Sequence, residues 1–184
     1  MSEPSRRLFF ALWPSSAERA RLLTAVAPAV VAADGREVVP PNLHVTLVFL
    51  GSVGNARLEA VRQVAAGVVA TPVSLVLDTI ELWPKPRILC ATSSEPVPAA
   101  DALARTLAQG LVERGFAPDL RPFRAHVTLK RKVAHVMGRV QMPGVALRFS
   151  DFVLVESRTD PAGPIYSSLG TWALYETPCP TEKP

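Results

Sequence analysis

The tetrapeptide His-Val-Thr-Leu occurs twice in this chain, as His44-Val45-Thr46-Leu47 and as His126-Val127-Thr128-Leu129. Side chains at i and i+2 of a β-strand share a face. Read as strands, the copies place His44 with Thr46 and His126 with Thr128, opposite the aliphatic sets Val45, Leu47, Phe49 and Val127, Leu129. Each aliphatic face needs a core, and each His/Thr face is left over. Two similar lobes packed face to face, one motif from each, satisfy both demands. Beyond the tetrapeptide the halves share little sequence, so the duplication rests on the motif and on the order of elements.

That order is readable from periodicity and punctuation. Residues 7–13 form an aromatic and aliphatic run ending at Pro14, a first strand. Ser15 or Ser16 can cap a helix to about Ala33, with Ala20, Leu23, Ala27 and Val30 at helical spacing and Pro28 expected to kink or end it. Asp34-Gly35 marks a turn. Pro40-Pro41 stiffens the approach to the first motif strand, expected over 43–50 and closed by Gly51. Asn55 is placed to cap a second helix through about Val69. Strands follow at 73–82 and 87–92, an antiparallel pair around Trp83-Pro84-Lys85-Pro86. A third helix spans 98–114, with Gly115 as its C-cap. The second motif strand is expected near 125–130, then two long strands at 145–157 and 164–175.

Several strands adjoin without a helix between them, which favours α+β over a doubly wound α/β arrangement. The expected fold is α+β: two similar lobes, each an antiparallel sheet with helices on its outer face, enclosing a central cleft. Residues 1–176 read as one bilobal domain, and the proline-rich 177–184 as a flexible tail.

Composition narrows the setting. A chain of 184 residues is long enough for a full core. Twenty Lys and Arg against sixteen Asp and Glu give a net charge of +4 and a pI near 9.5, which suits a polyanionic partner without requiring one. Cys90, in an apolar run, reads as a small buried thiol and Cys179 lies in the tail, so neither a disulfide framework nor a zinc site is indicated. Ser5-Arg6-Arg7-Leu8-Phe9-Phe10 starts like a twin-arginine signal, but Trp13-Pro14 and then Glu18, Arg19 and Arg21 cut its apolar stretch short. No run reaches the roughly 18 apolar residues of a membrane span. A cytoplasmic monomer without membrane association is expected.

Histidine can give or take a proton near neutral pH, and two of the three histidines open the repeats. One His-x-Thr in a strand is ordinarily structural. A second copy with identical spacing points to an acid and a base brought together by folding. Two imidazoles and two hydroxyls suit in-line displacement at phosphorus: a neutral imidazole takes the proton of the attacking water, an imidazolium protonates the departing oxygen, and hydroxyls donate to the non-bridging oxygens. No metal or other cofactor is expected, because two histidines without clustered carboxylates or thiolates fall short of usual ligand sets. His135 lies outside both motifs and is assigned no role. The residues alone do not decide which imidazole is the acid.

The same segments resemble the two-histidine (2H) phosphoesterases, and the flanks resemble the RNA 2′,3′-cyclic phosphodiesterase branch, historically called 2′-5′ RNA ligases. Arg7-Leu8-Phe9-Phe10-Ala11-Leu12 is similar to that branch's opening strand. The stretches from Asn42 to Gly51 and from Phe123 to Arg131 are similar to its motif segments. Glu156-Ser157, Gly163, Tyr166, Leu169, Trp172 and Leu174 are similar to its closing strands.

The resemblance implies metal-independent hydrolysis of a terminal RNA 2′,3′-cyclic phosphate to a 2′-phosphate, and in some members reversible 2′-5′ ligation. The implied partner is RNA with such an end, tRNA fragments among the options. His44 would be the proton donor and His126 the acceptor, with Thr46 and Thr128 on the phosphate oxygens. Arg131 matches a family arginine that approaches the phosphate, whereas strict alternation aims Lys130 into the cleft. A bulge or the strand's end just after Leu129 would reconcile the two, and both are carried as substrate-binding, Arg131 first. Ala125 stands where many members have proline, and Val48 where many have arginine, a departure expected to weaken anion binding in the first lobe. Arg6, Arg7, Arg121, Arg124 and Lys132 read equally well as surface or as an RNA groove. Trp83, Phe123 and Tyr166 read as core. Two alternatives stay open: a non-catalytic RNA-end binding module, and a 2H enzyme acting on a small cyclic nucleotide such as ADP-ribose 1″,2″-cyclic phosphate.

Overall fold

Ser15 begins the first helix with a reciprocal cap. Its hydroxyl oxygen accepts from the Glu18 N–H at 3.3 Å, and the Glu18 carboxylate accepts from the Ser15 N–H at 2.8 Å. In the computed structural model, which describes residues 4–135, 138–161 and 163–175, this helix is α1 (Ser16–Ala32), following strand β1 (Ser5–Leu12). Pro28 neither ends nor visibly interrupts it. The last turn is held from outside, because Lys130 Nζ donates to the carbonyls of Val30 at 2.7 Å and Ala33 at 2.6 Å.

Along the chain follow β2 (Arg36–Glu37), a 3₁₀ turn at Pro40–Asn42, β3 (Val45–Gly54), a 3₁₀ turn at Asn55–Arg57 and α2 (Leu58–Ala66). Then come β4 (Val73–Trp83), β5 (Ile88–Thr92), α3 (Pro98–Glu113), β6 (His126–Arg131), β7 (Val140–Phe149), β8 (Asp151–Arg158) and β9 (Ile165–Ala173). The expected tail at 177–184 lies outside the described residues.

Three expectations need correction. Gly51 does not close the first motif strand; it lies inside β3 at φ +72°, beside a bulge between β1 and β3. Asn55 does not cap α2, whose N-cap is Arg57; its side chain accepts from Arg6 Nε at 2.9 Å instead. The single long strand expected over 145–157 is two strands broken at Ser150, with β7 pairing with β4 and β8 pairing with β1.

That break matters, because it carries the chain from one half of the fold to the other. The strand order is β7-β4-β5-β6-β3-β1-β8-β9, with β2 on β6, and every pairing is antiparallel. Two four-stranded halves therefore sit side by side, each with its motif strand at the inner edge. They are joined as one sheet where Val45 of β3 pairs with Val127 of β6. The fold is α+β with a large antiparallel sheet, continuous across the midline rather than split into two separate sheets.

Helix residues Leu22, Val26, Val61, Leu103, Leu107 and Leu111 share one core with Leu8, Phe10, Val45, Val127 and Leu147. Each half's outer strand also has a helix against its open edge. Glu18 of α1 accepts from the Arg148 N–H of β7 at 2.7 Å, and Arg21 donates to the Ala146 carbonyl at 3.2 Å. Arg62 of α2 donates to the Leu169 carbonyl of β9 at 3.0 Å. Unpaired edge groups are thus satisfied by side chains rather than offered to another chain. No helix of the described residues is long and apolar enough to cross a membrane.

Burial pushes the Glu18 carboxyl up, but hydrogen bonds from Ser15 and Arg148 outweigh it and hold the group below its usual 4.5. Its contribution is present above that pH and fades as pH falls through the folded value. Glu18→Ala is expected to cost about 1–3 kcal/mol by removing the cap and orphaning the Arg148 N–H. A lowered urea midpoint at pH 7, with a smaller deficit at pH 3.5, checks this.

Candidate active site

Val45 and Val127 are paired residues on adjacent antiparallel strands, and both are fully buried. Continuing that register places His44 across from Thr128 and Thr46 across from His126, all four on the face away from the helices. The histidines are then diagonal neighbours, a relation that separates backbones by about 7–8 Å and side chains by less. His44 is 9% exposed, and Thr46, His126 and Thr128 are half-buried.

Each imidazole is anchored the same way. Nδ1 of His44 lies 2.6 Å from the Asn42 carbonyl oxygen, and Nδ1 of His126 lies 2.7 Å from that of Arg124. A carbonyl only accepts, so Nδ1 carries the hydrogen in both neutral rings and Nε2 is left as an acceptor. His44 Nε2 accepts from the Thr46 hydroxyl at 3.0 Å. Thr128 has a hydrogen bond with the Cys90 thiol, which burial pushes up to about 12.

The surroundings differ between the halves. His44 stacks on Trp13, with ring centres 5.0 Å apart and planes 9° apart, and meets Phe9 at 5.0 Å and Tyr166 edge-on at 5.4 Å. Phe9 belongs to a second small core on this face, with Ala11, Val153 and Val155. His126 instead meets Trp83 at 4.4 Å, and the Arg124 guanidinium lies over the same indole. Glu81 holds this group together, accepting from Arg124 at 2.6 Å, Thr92 at 2.9 Å and Trp83 Nε1 at 3.2 Å. Trp83 and Tyr166 therefore flank the histidines rather than filling the main core, where Phe123 does pack.

A bulge at the fourth residue of each motif sets the facing of the residues beyond it. Opposite Thr128 is Cys90 and opposite Lys130 is Leu89, so Leu129 is the extra residue. Leu47 is extra in the same way between Thr46 and Val48. Arg131 consequently stays on the histidine face, where its charge bears on His44, His126 and Cys90. Lys130, expected as a second phosphate ligand, is turned to the helix side, where it caps α1 and lies 3.7 Å from Glu37. In β3 the bulge buries Val48, so an arginine there would not reach this face, and exposes Phe49 beside Phe9 at 5.7 Å, contrary to the alternation expected for it.

Burial pushes the His44 pKa down to about 4; the Asn42 carbonyl opposes this, while Arg131 and His126 add to it. Burial likewise lowers His126, opposed by the Arg124 carbonyl and assisted by the charges of Arg124 and Arg131. The site so arranged has two lone pairs, two hydroxyls and a guanidinium converging on one face, a set suited to a phosphate. Among the described residues no group of three or more His, Cys, Asp or Glu is placed to hold a metal ion. His135 lies away from the face, with Nδ1 3.1 Å from Asp34.

The aromatic neighbours of His44 and the Glu81 group were not foreseen from sequence. One signal was present. The consecutive Phe9-Phe10 must point to opposite faces of a strand, which implies that both faces of β1 are covered.

Known proteins share the same segments. A family profile described as LigT like phosphoesterase matches residues 12–90 and 92–166. The chain is 30% identical over 178 residues to an RNA 2′,3′-cyclic phosphodiesterase of Escherichia coli, spanning 96% of this chain and 100% of the relative. It is also 30% identical over 151 residues to a protein of the same name from Methanothermobacter thermautotrophicus, spanning 74% and 81%. The crystal structure of E. coli LigT complexed with 3′-AMP superposes with a TM-score of 0.86 at 26% identity, covering 94% of this chain and all of that one. LigT complexed with phosphate gives 0.80 at 27% identity, covering 95% and 100%.

Two outcomes are expected of this arrangement. In an NMR titration His44 has its midpoint near 4 and His126 below the ordinary 6.5, and inorganic phosphate raises both; an unliganded His44 midpoint at 6.5 or above contradicts the burial argument. Because unfolded imidazoles take up protons first, the two histidines cost stability as pH falls below 6.5 towards their folded values. By calorimetry, Arg131→Met weakens inorganic phosphate binding by about tenfold or more, whereas Lys130→Met leaves it unchanged while lowering the melting temperature.

Proposed function

The chain belongs to the LigT-like phosphoesterase family, and from that premise we propose that it hydrolyses the 2′,3′-cyclic phosphate at an RNA end to a 2′-phosphate. The name shared by its relatives supports the substrate. The observation that carries the chemistry is the pair of imidazoles on one sheet face, across the Val45–Val127 pair, each with Nδ1 tied to a carbonyl and Nε2 left as the acceptor.

The cyclic phosphorus sits between the rings. His126 Nε2 takes a proton from water as the water oxygen bonds to phosphorus. The bond from phosphorus to the 3′-oxygen breaks on the opposite side, and His44 Nε2, entering as imidazolium, protonates that oxygen. The product is a 2′-phosphomonoester, with the proton now on His126 and returned to solvent. Thr46, Thr128 and Arg131 donate to the non-bridging oxygens, where negative charge grows. A ribose 5′-hydroxyl in the place of water would give a 2′-5′ linkage by the same steps.

The division into donor and acceptor follows the family resemblance. Arg124 adds positive charge beside His126, which favours a neutral acceptor. Burial lowers His44 to about 4, so an imidazolium there depends on the negative charge of the bound phosphate. Both imidazoles start below their ordinary pKa, so the kcat/KM profile of the free enzyme is expected to be bell-shaped with its maximum on the acid side of neutrality. His44→Ala and His126→Ala should each lower turnover of a 2′,3′-cyclic-phosphate-ended oligonucleotide by about 10²–10⁴-fold with little loss of fold. Tight binding of RNA ends without product from the wild-type protein would overturn the enzyme reading in favour of a binding module.

A further inference from the structure

A cavity of about 270 Å³ opens beside the reacting face, on the side of Arg131 and Tyr166. It shares lining residues with the site: the charge of Arg131 bears on both imidazoles, and the Tyr166 ring stands 5.4 Å from His44. Its volume lies just below the ~300–1,000 Å³ of typical small-molecule clefts, room for one compact group.

The walls are of two kinds. Arg36, Arg131 and Lys132 line one part, against the carboxylates of Glu37, which lies 3.7 Å from Lys130 Nζ, and Asp160. Val39 and Ile165 line the cavity too, and at 54% and 46% exposed they give it an apolar surface open to a ligand. The backbone is shaped to bring the cations in. Lys132 has φ +58°, a turn into the left-handed region that lets it line the same cavity as its neighbour Arg131. Gly163, at φ +131°, leaves the space in which the Arg36 guanidinium rests, since a Cβ there would lie 2.5 Å from Arg36 Nη2.

A nucleotide unit is two-sided in the same way, an anion on a sugar with an apolar base. We propose that this cavity receives the second nucleotide of the RNA, its phosphodiester between Arg36 and Lys132 and its base against Val39 and Ile165. The inference rests on the phosphodiesterase reading and adds to it a subsite built from Arg36, Lys132, Val39 and Ile165.

The test compares kcat/KM for a dinucleotide ending in a 2′,3′-cyclic phosphate with that for a mononucleoside 2′,3′-cyclic phosphate. The wild-type protein should prefer the dinucleotide by about tenfold or more, as one added charge-assisted contact implies. Arg36→Ala and Lys132→Asn, the latter chosen because asparagine tolerates the left-handed backbone, should each remove most of that preference. They should also flatten the salt dependence of the dinucleotide reaction. Equal wild-type rates on the two substrates overturn the inference and leave the phosphodiesterase reading intact. An equal fall on both substrates in the variants also overturns it, because the cavity would then serve the terminal nucleotide. No hydrolysis of either substrate overturns both readings.

Discussion

The pairing of Val45 with Val127 is the contact on which the site depends. It joins the two halves of the sheet at their inner edges, and both side chains are fully buried. Register in such a pair is enforced by burial, because a slip of one residue would send His44 or His126 into the core and a valine onto the open face. The hydrophobic packing that stabilises the fold is therefore the same force that sets the imidazoles on one diagonal. No separate device is needed to align the two imidazoles.

The bulges at Leu47 and Leu129 act on top of that register. By inserting one residue after each His-x-Thr, they reverse the alternation beyond it. In β6 this gives Lys130 to helix α1 and Arg131 to the site. In β3 it gives Val48 to the core and Phe49 to the open face. Equivalent positions in the two halves thus present a cation and an aromatic ring. A symmetric sheet becomes an asymmetric site, with aromatic rings around His44 and arginines around His126.

Local signals in the sequence were enough for the elements that carry them. The capped helix, the hairpin of β4 and β5 and the two motif strands are legible in spacing, punctuation and alternation. What escaped were features decided by a distant partner. Ser150 splits β7 from β8 because their pairing partners, β4 and β1, lie in different halves, and nothing within the apolar run announces it. Asn55 is drawn from its capping role by Arg6. Lys130 is drawn from the cleft by two carbonyls at the end of α1, whose reach across the chain no periodicity encodes. The conflict between alternation and the family arginine called for either a bulge or the strand's end after Leu129, and the bulge at Leu129 resolves it.

The electrostatics of the site explain how it can be built among aromatic rings. A buried imidazolium would need a carboxylate beside it, and that carboxylate would repel the phosphate. Glu81, grouped with Trp83 on the His126 side, is occupied by Arg124, Thr92 and Trp83 and is held ionised by them. The histidines instead stay neutral, each satisfied at Nδ1, with Arg131 reinforcing neutrality. An anion bound beside Arg131 would offset that charge and raise both imidazoles from their lowered values.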